Sequence, residues 1–197
     1  MRCRIATPSD APRLAEIYAP YVSGTAITFA TTPLTAEDFL HKIASPYPFL
    51  VCEENGNIIG YAYAAAFREK EAYRWDVELT IYIDGAHHGR GTGKALLARL
   101  IALLRAQGYL NAYSCITLPN DKSIGLHEAL GFVEIGRFDN SGYKLGKWHS
   151  VTWYHLPLGL FDGEPAEPTP LRDLPENTLS AILSENEGGP HARDQVP

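Results

Sequence analysis

The sequence has no apolar run approaching the roughly 20 residues that a membrane-spanning helix needs. Residues 2–10, RCRIATPSD, hold no apolar h-region, so neither a membrane partner nor a secretory leader is expected. Cysteine is scarce. Cys3, Cys52 and Cys115 are too few and too scattered for a disulfide framework or a cysteine-based metal site, which fits a reduced, cytoplasmic setting. Positive charge is also short: 17 Lys and Arg stand against 23 Asp and Glu, a formal charge of −6, which argues against a nucleic-acid partner. Internal repeats are absent.

What is there suffices for one core. The chain has 197 residues, 45% of them hydrophobic, a size that suits one domain over residues 1–159 followed by a tail. The tail, residues 160–197, turns to Pro, Glu and Gly and is expected to be largely irregular, with a helical turn around Leu179 to Leu183.

The stretch from Trp75 to Leu104 organises the rest. Val77, Leu79, Ile81 and Ile83 alternate with Asp76, Glu78, Thr80 and Tyr82, the period of a strand with Glu78 facing away from the core. Gly85, Gly89, Gly91 and Gly93 follow, and from Lys94 the residues Leu96, Leu97, Leu100, Ile101 and Leu104 repeat at helical spacing. Glycines before a helix start, where unpaired N–H groups carry partial positive charge, make a cradle for a phosphate. Arg90 and Lys94 add cations to it. The spacing fits neither a P-loop, which would need glycine at His88 and Ser or Thr at Ala95, nor a dinucleotide fingerprint.

The flanks read as follows. Ser9 or Asp10 caps a helix that Gly24 ends; Thr35, with Asp38 three residues on, caps a second. Asn55-Gly56 joins two strands in a hairpin, Gly108 ends the long helix, and a strand from Leu110 to Thr117 closes a βαβ unit. After Pro119, Asn120 and Asp121 turn and Ser123 caps a short helix. Two last strands, Val133 to Phe138 and Tyr143 to Leu156, are joined at Asn140-Ser141-Gly142. His87-His88 is a poor metal site, since adjacent loop residues lack a third ligand, and no metal is expected.

The loop His88-Gly89-Arg90-Gly91-Thr92-Gly93 resembles the acetyl-CoA loop of the GCN5-related N-acetyltransferases (GNAT), with His88 in the first place, where that family has Gln or Arg. The segment from Asn120 to Phe132, with Leu126-His127-Glu128-Ala129-Leu130-Gly131-Phe132, resembles the family's second motif. Residues 3–158 are similar throughout to the phosphinothricin and methionine sulfoximine or sulfone acetyltransferases, in TAITFATTP, YAYAAAFREKEAYRWDVELTIYI, LPNDKSIGLHEALGF and GYKLGKWHSVTWY.

The resemblance implies an α/β fold with a central mixed, twisted sheet flanked by helices, whose splayed strands form the acetyl-CoA cleft. It implies acetyl transfer to the α-amino group of a small acidic amino-acid analogue, a homodimer, and Glu78 as the base. Cofactor contacts would come from Ile81, Tyr82 and Ile83 on the strand, from His88 to Lys94 on the loop, and from Asn120 and Ser123. Arg68, Lys70 and Tyr73 would hold the acceptor's acidic end, and Phe29 its pocket. Bland readings stay open beside these: Phe29 as a packing aromatic, Arg68 and Lys70 as a solvated loop, Asn120 as a helix cap, and His127 as either the acid for the thiolate or a neutral histidine on a helix surface. Acetylation of another amine, or a non-catalytic acyl-CoA-binding domain, are the alternatives to this activity.

Overall fold

The computed structural model describes residues 1–184. Among these, seven strands, β1 (Arg2–Ile5), β2 (Phe49–Glu54), β3 (Asn57–Ala66), β4 (Asp76–Ile83), β5 (Asn111–Thr117), β6 (Val133–Lys144) and β7 (Lys147–Pro157), form one sheet in the order β1-β2-β3-β4-β5-β7-β6. The β4/β5 pair is parallel and the other pairs are antiparallel, so the sheet is mixed, as expected. Helices α1 (Ala11–Gly24), α2 (Ala36–Ile43), α3 (Thr92–Gln107), α4 (Asp121–Glu128) and α5 (Glu176–Ser184) complete the fold.

Both faces of the sheet are covered. On one, Leu96, Leu97, Leu100 and Leu104 of α3 pack on Val77 and Leu79; on the other, Leu14, Ile17 and Phe39 of α1 and α2 pack on Phe49, Val51 and Tyr61. The face of β4 that carries Glu78 is therefore not a solvent face: further along it Tyr82 packs against this second cluster and sets its ring 4.9 Å from that of Tyr18.

Local signals place most elements. Asn55 and Gly56 both take positive φ between β2 and β3, as a type I′ turn requires. Thr35 and Asp38 close a full capping box at α2, and Gly108 ends α3 at φ 87°. Several expectations need correction. Helix α3 begins at Thr92, so Gly93 lies inside its first turn. Asn120, not Ser123, caps α4, its Oδ1 accepting from the Ser123 N–H. The last hairpin turns at Leu145 and Gly146, both at positive φ, while Asn140 sits in an irregularity where the β6/β7 register shifts.

Two further differences concern long-range pairing. Cys3 and Cys52 face one another across β1 and β2, both buried, and are joined as a disulfide. Scattered in sequence, they become neighbours only once the strands are in register. The segment after residue 160, expected to be largely irregular, buries Leu174 in the main core and lays Leu179, Ile182 and Leu183 of α5 against it. Residues 185–197 of the expected tail lie outside the described residues.

Candidate active site

Strands β4 and β5 are paired at only three positions, Asp76↔Asn111, Val77↔Ala112 and Glu78↔Tyr113. Beyond Glu78 each stays with its outer neighbour, Leu79 to Ile83 with β3 and Ser114 to Thr117 with β7. The sheet splits there. A cavity of about 220 Å³ fills the split, lined by Glu78, Thr80, Ile81 and Tyr82 from β4, Ser114, Cys115 and Thr117 from β5, Asn120, Ser123 and His127 from α4 and its cap, and Ile27, Thr28 and Phe29 from the segment after α1.

Glu78 sits where the strands part. Burial raises its carboxyl pKa, and the positive charge of Arg68 works against that rise. A raised carboxyl is better matched to accepting a proton near neutral pH than one at the ordinary ~4.3. Cys115 faces the same cavity, and burial together with the Glu78 charge pushes its thiol up to about 11. It stays protonated at neutral pH and is a poor nucleophile.

His127 is buried rather than on a helix surface. Its Nδ1 lies 2.8 Å from the Ser123 carbonyl, which can only accept, so the neutral ring carries its proton on Nδ1 and leaves Nε2 as an acceptor. Burial lowers its pKa and favours this neutral form. Phe132 meets the ring edge-on at 5.1 Å.

The glycine loop runs from the end of β4 to α3. Gly89 and Gly91 hold φ of 75° and 82°, and Gly89 faces open space, as a cradle that admits a ligand requires. Thr92 Oγ1, at the first turn of α3, is buried with no hydrogen-bond partner among the described residues. These features fit a phosphate-bearing ligand. The loop is braced from outside: His88 Nε2 lies 2.8 Å from the Tyr21 hydroxyl, Tyr21 donates to the Ile83 carbonyl at 2.5 Å, and Arg13 pairs with Asp84. Arg90 reaches Glu54 at 3.5 Å, and Lys94 is exposed.

The acceptor side is less gathered. Phe29 lines the cavity, with its ring so close to the Gly142 backbone that an added Cβ would stand 2.2 Å from it. Arg68, Lys70 and Tyr73 occupy the exposed loop between β3 and β4 and do not line the cavity. The Arg68 guanidinium lies 4.1 Å from the Phe67 ring centroid, and Tyr73 meets Phe67 edge-on. Sequence reasoning missed Thr28, Ser114, Cys115 and Lys144. Lys144 is buried and donates to the Thr28 carbonyl at 2.6 Å, pinning the segment that carries Phe29. Alternation along β5, which puts Cys115 on the face of Tyr113, is the signal that could have found it; Lys144 left no local signal.

Comparison with known proteins agrees with this geometry. A family described as the acetyltransferase (GNAT) domain matches residues 3–153. A phosphinothricin N-acetyltransferase of Streptomyces viridochromogenes is 36% identical over 174 residues, covering 87% of this chain and 93% of that protein. A methionine sulfoximine/methionine sulfone acetyltransferase of Salmonella typhimurium is 34% identical, covering 80% and 95%. The crystal structure of a phosphinothricin acetyltransferase from Sinorhizobium meliloti in complex with acetyl-CoA superposes with a TM-score of 0.80 at 35% identity, covering 87% of this chain and 96% of that one.

Proposed function

The chain belongs to the GNAT family and is an N-acetyltransferase that uses acetyl-CoA; we propose that its acceptor is the α-amino group of a small acidic amino-acid analogue, of the phosphinothricin or methionine sulfoximine class. The observation that carries this reading is Glu78, half-buried with a raised carboxyl pKa at the point where β4 and β5 part. Relatives at about one-third identity that act on such compounds support the substrate class.

Acetyl-CoA supplies the activated acyl group. The open backbone at Gly89, the left-handed Gly91, the unpaired Thr92 hydroxyl and the cations Arg90 and Lys94 would hold its phosphates, with His88 bracing the loop, and Asn120 and Ser123 would border the arm. An ammonium group has no lone pair, so the Glu78 carboxylate takes a proton from the acceptor, directly or through one water, before attack. The backbone N–H of Ile83, which points away from β3 on the splayed edge beyond Ile81 while that of Tyr82 is directed at β3, would stabilise the charge that develops on the carbonyl oxygen.

His127 as an acid would need its imidazolium, which burial disfavours. We give it instead an acceptor role through Nε2. A thiolate with an ordinary pKa of ~8.5 can leave without obligatory protonation and take its proton from water. Cys115, held as a thiol, supports direct transfer over an acyl-enzyme.

Arg68 and Lys70 would hold the acceptor's anionic end, Tyr73 would flank it and Phe29 would wall its pocket. Acetylation removes the positive charge of the amine, the chemistry of detoxification and herbicide resistance. The exposed apolar side chains Val133, Ile135, Phe138 and Trp148 on the outer hairpin support a homodimer. No helix among the described residues is long and apolar enough to cross a membrane, and dependence on acetyl-CoA supports a cytoplasmic setting.

The test is CoA release with phosphinothricin, methionine sulfoximine, methionine sulfone, ordinary amino acids and a polyamine as acceptors. Turnover confined to the first three supports the assignment; turnover only elsewhere discards the substrate class.

A further inference from the structure

Residues 158–174 lie beyond the part of the chain that the family domain matches. They form a strap fixed at both ends. At one end the Leu158 N–H donates to the Leu110 carbonyl at 2.8 Å. At the other the Thr169 N–H donates to the Gln107 carbonyl at 2.7 Å, the Gln107 side chain donates back to the Thr169 carbonyl at 2.9 Å, and Leu174 is buried in the main core. Between these anchors the strap touches the acceptor loop twice. The Trp75 Nε1–H donates to the Ala166 carbonyl at 2.7 Å, and the Arg74 guanidinium meets the Glu167 carboxylate at 2.5 Å.

Those two residues join the acceptor loop to β4. Arg74 and Trp75 immediately follow Tyr73 and lie four and three residues before Glu78. The loop has other supports: the Trp75 carbonyl accepts from the Leu110 and Asn111 N–H groups, the Arg74 Nε–H donates to the Glu71 carbonyl, and Phe67 stacks on Tyr113 at 4.1 Å and meets Trp153 edge-on at 5.8 Å. The short 3-10 turn from Glu71 to Tyr73 is held within the loop by the Tyr73 and Arg74 N–H groups, which donate to Lys70 and Glu71 carbonyls. Glu167 also neutralises Arg74, the cation nearest to Tyr73 in sequence, and so separates it from Arg68 and Lys70 as an anion-binding charge.

Building on the acceptor loop assigned above, we propose that the strap is a positioning element for that loop: Glu167 and Ala166 fix Arg74 and Trp75, and thereby set the acceptor affinity without entering the cavity. This gives the C-terminal extension a role in substrate recognition. It also predicts separable effects on the two substrates, because the strap contacts the acceptor loop and not the glycine loop.

The test uses the full chain with two variants, Glu167→Gln, which removes the charge, and Trp75→Phe, which removes the donor and keeps the ring. The acceptor KM should rise about twofold to fivefold in Glu167→Gln, the range spanned by an exposed ion pair, with the acetyl-CoA KM unchanged and kcat within about twofold. Trp75→Phe should shift the same constant in the same direction. Hydrogen exchange provides a readout that needs no turnover: amides of residues 70–75 should exchange faster in both variants, and those of α3 should not. Unchanged loop exchange, or equal rises in both KM values, would overturn the proposal. If the unmodified protein turns over none of the acidic analogues, the substrate class fails, and the exchange measurement still decides the strap.

Discussion

Glu78 on β4 lies directly opposite Tyr113 on β5, and theirs is the last pair before the two parallel strands part. The carboxylate therefore stands at the throat of the cavity and not along a continuous sheet. Substituting Glu78→Gln keeps the shape and removes the base. We expect a fall of roughly 10²–10⁴ in kcat/KM with acetyl-CoA binding retained, read by steady-state kinetics and by titration of acetyl-CoA. Near-normal turnover would remove Glu78 from the role.

The pH profile should carry the signature of that same carboxyl. Glu78 must be ionised to act, so activity is lost as pH falls through its pKa, which burial has raised. Arg68 opposes the rise by favouring the ionised form. Arg68→Ala should thus raise the pKa further and move the acid limb of kcat to higher pH, whatever it does to the acceptor KM. A limb that stays in place, or moves down, would contradict the electrostatic link.

Gly142 receives the ring of Phe29. Gly142→Ala must push that ring or the strand aside, which reshapes the wall of the acceptor pocket. The expected outcome is a changed acceptor KM with thermal stability lowered by about 1–3 kcal/mol. A variant with wild-type kinetics toward every acceptor would show that Phe29 does not shape the pocket.

Asp10 accepts from Arg4, from the Thr7 N–H and from the Thr7 hydroxyl, and it is buried. The Arg4 guanidinium holds its pKa below the usual carboxylate range. The stabilisation is present above the unfolded pKa of ~3.9 and is lost as pH falls through the lower folded value. Asp10→Ala should cost about 2 kcal/mol at pH 7 in urea denaturation, and the gap from the native protein should narrow only in acid. A gap independent of pH would point to packing instead.

Leu174 tests whether the chain beyond residue 160 shares the cooperative unit. It is buried in the main core, and Leu174→Ala should lower the midpoint of the single unfolding transition by the equivalent of roughly 2–5 kcal/mol. Loss of a separate, earlier transition with the main one unmoved would make the segment an appendage.

How much of this was legible depended on the range of the signal. Asn55-Gly56, the Thr35/Asp38 box, Gly108 and the alternation that put Glu78 opposite Val77 and Leu79 are local codes, and the backbone obeys each of them. Asn140-Ser141-Gly142 is an equally good local turn code, yet the β7 partner imposes a register that places the turn at Leu145-Gly146 instead. The Cys3–Cys52 pairing and the burial of Leu174 arise from contacts far apart in the chain, and composition alone could not supply them. Within the site, Phe29, Glu78, Ile81, Tyr82, Asn120, Ser123 and His127 converge on one cavity, whereas Arg68, Lys70 and Tyr73 stay on a loop beside it. Loop placement is set by supports such as Trp75 and Glu167, which carry no motif.

The parting of β4 from β5 has one further consequence. A strand that stops pairing exposes a row of unmet backbone groups, and on the outside of a protein such a row invites other chains to add on and aggregate. Here the row from Thr80 to Ile83 lies half-buried in a cleft walled by residues 27–29 and by α4, with the final Ile83 carbonyl occupied by Tyr21. Those walls shield it where outer edges rely on charge or proline. The molecule thus keeps a sticky edge within reach of a narrow, extended guest.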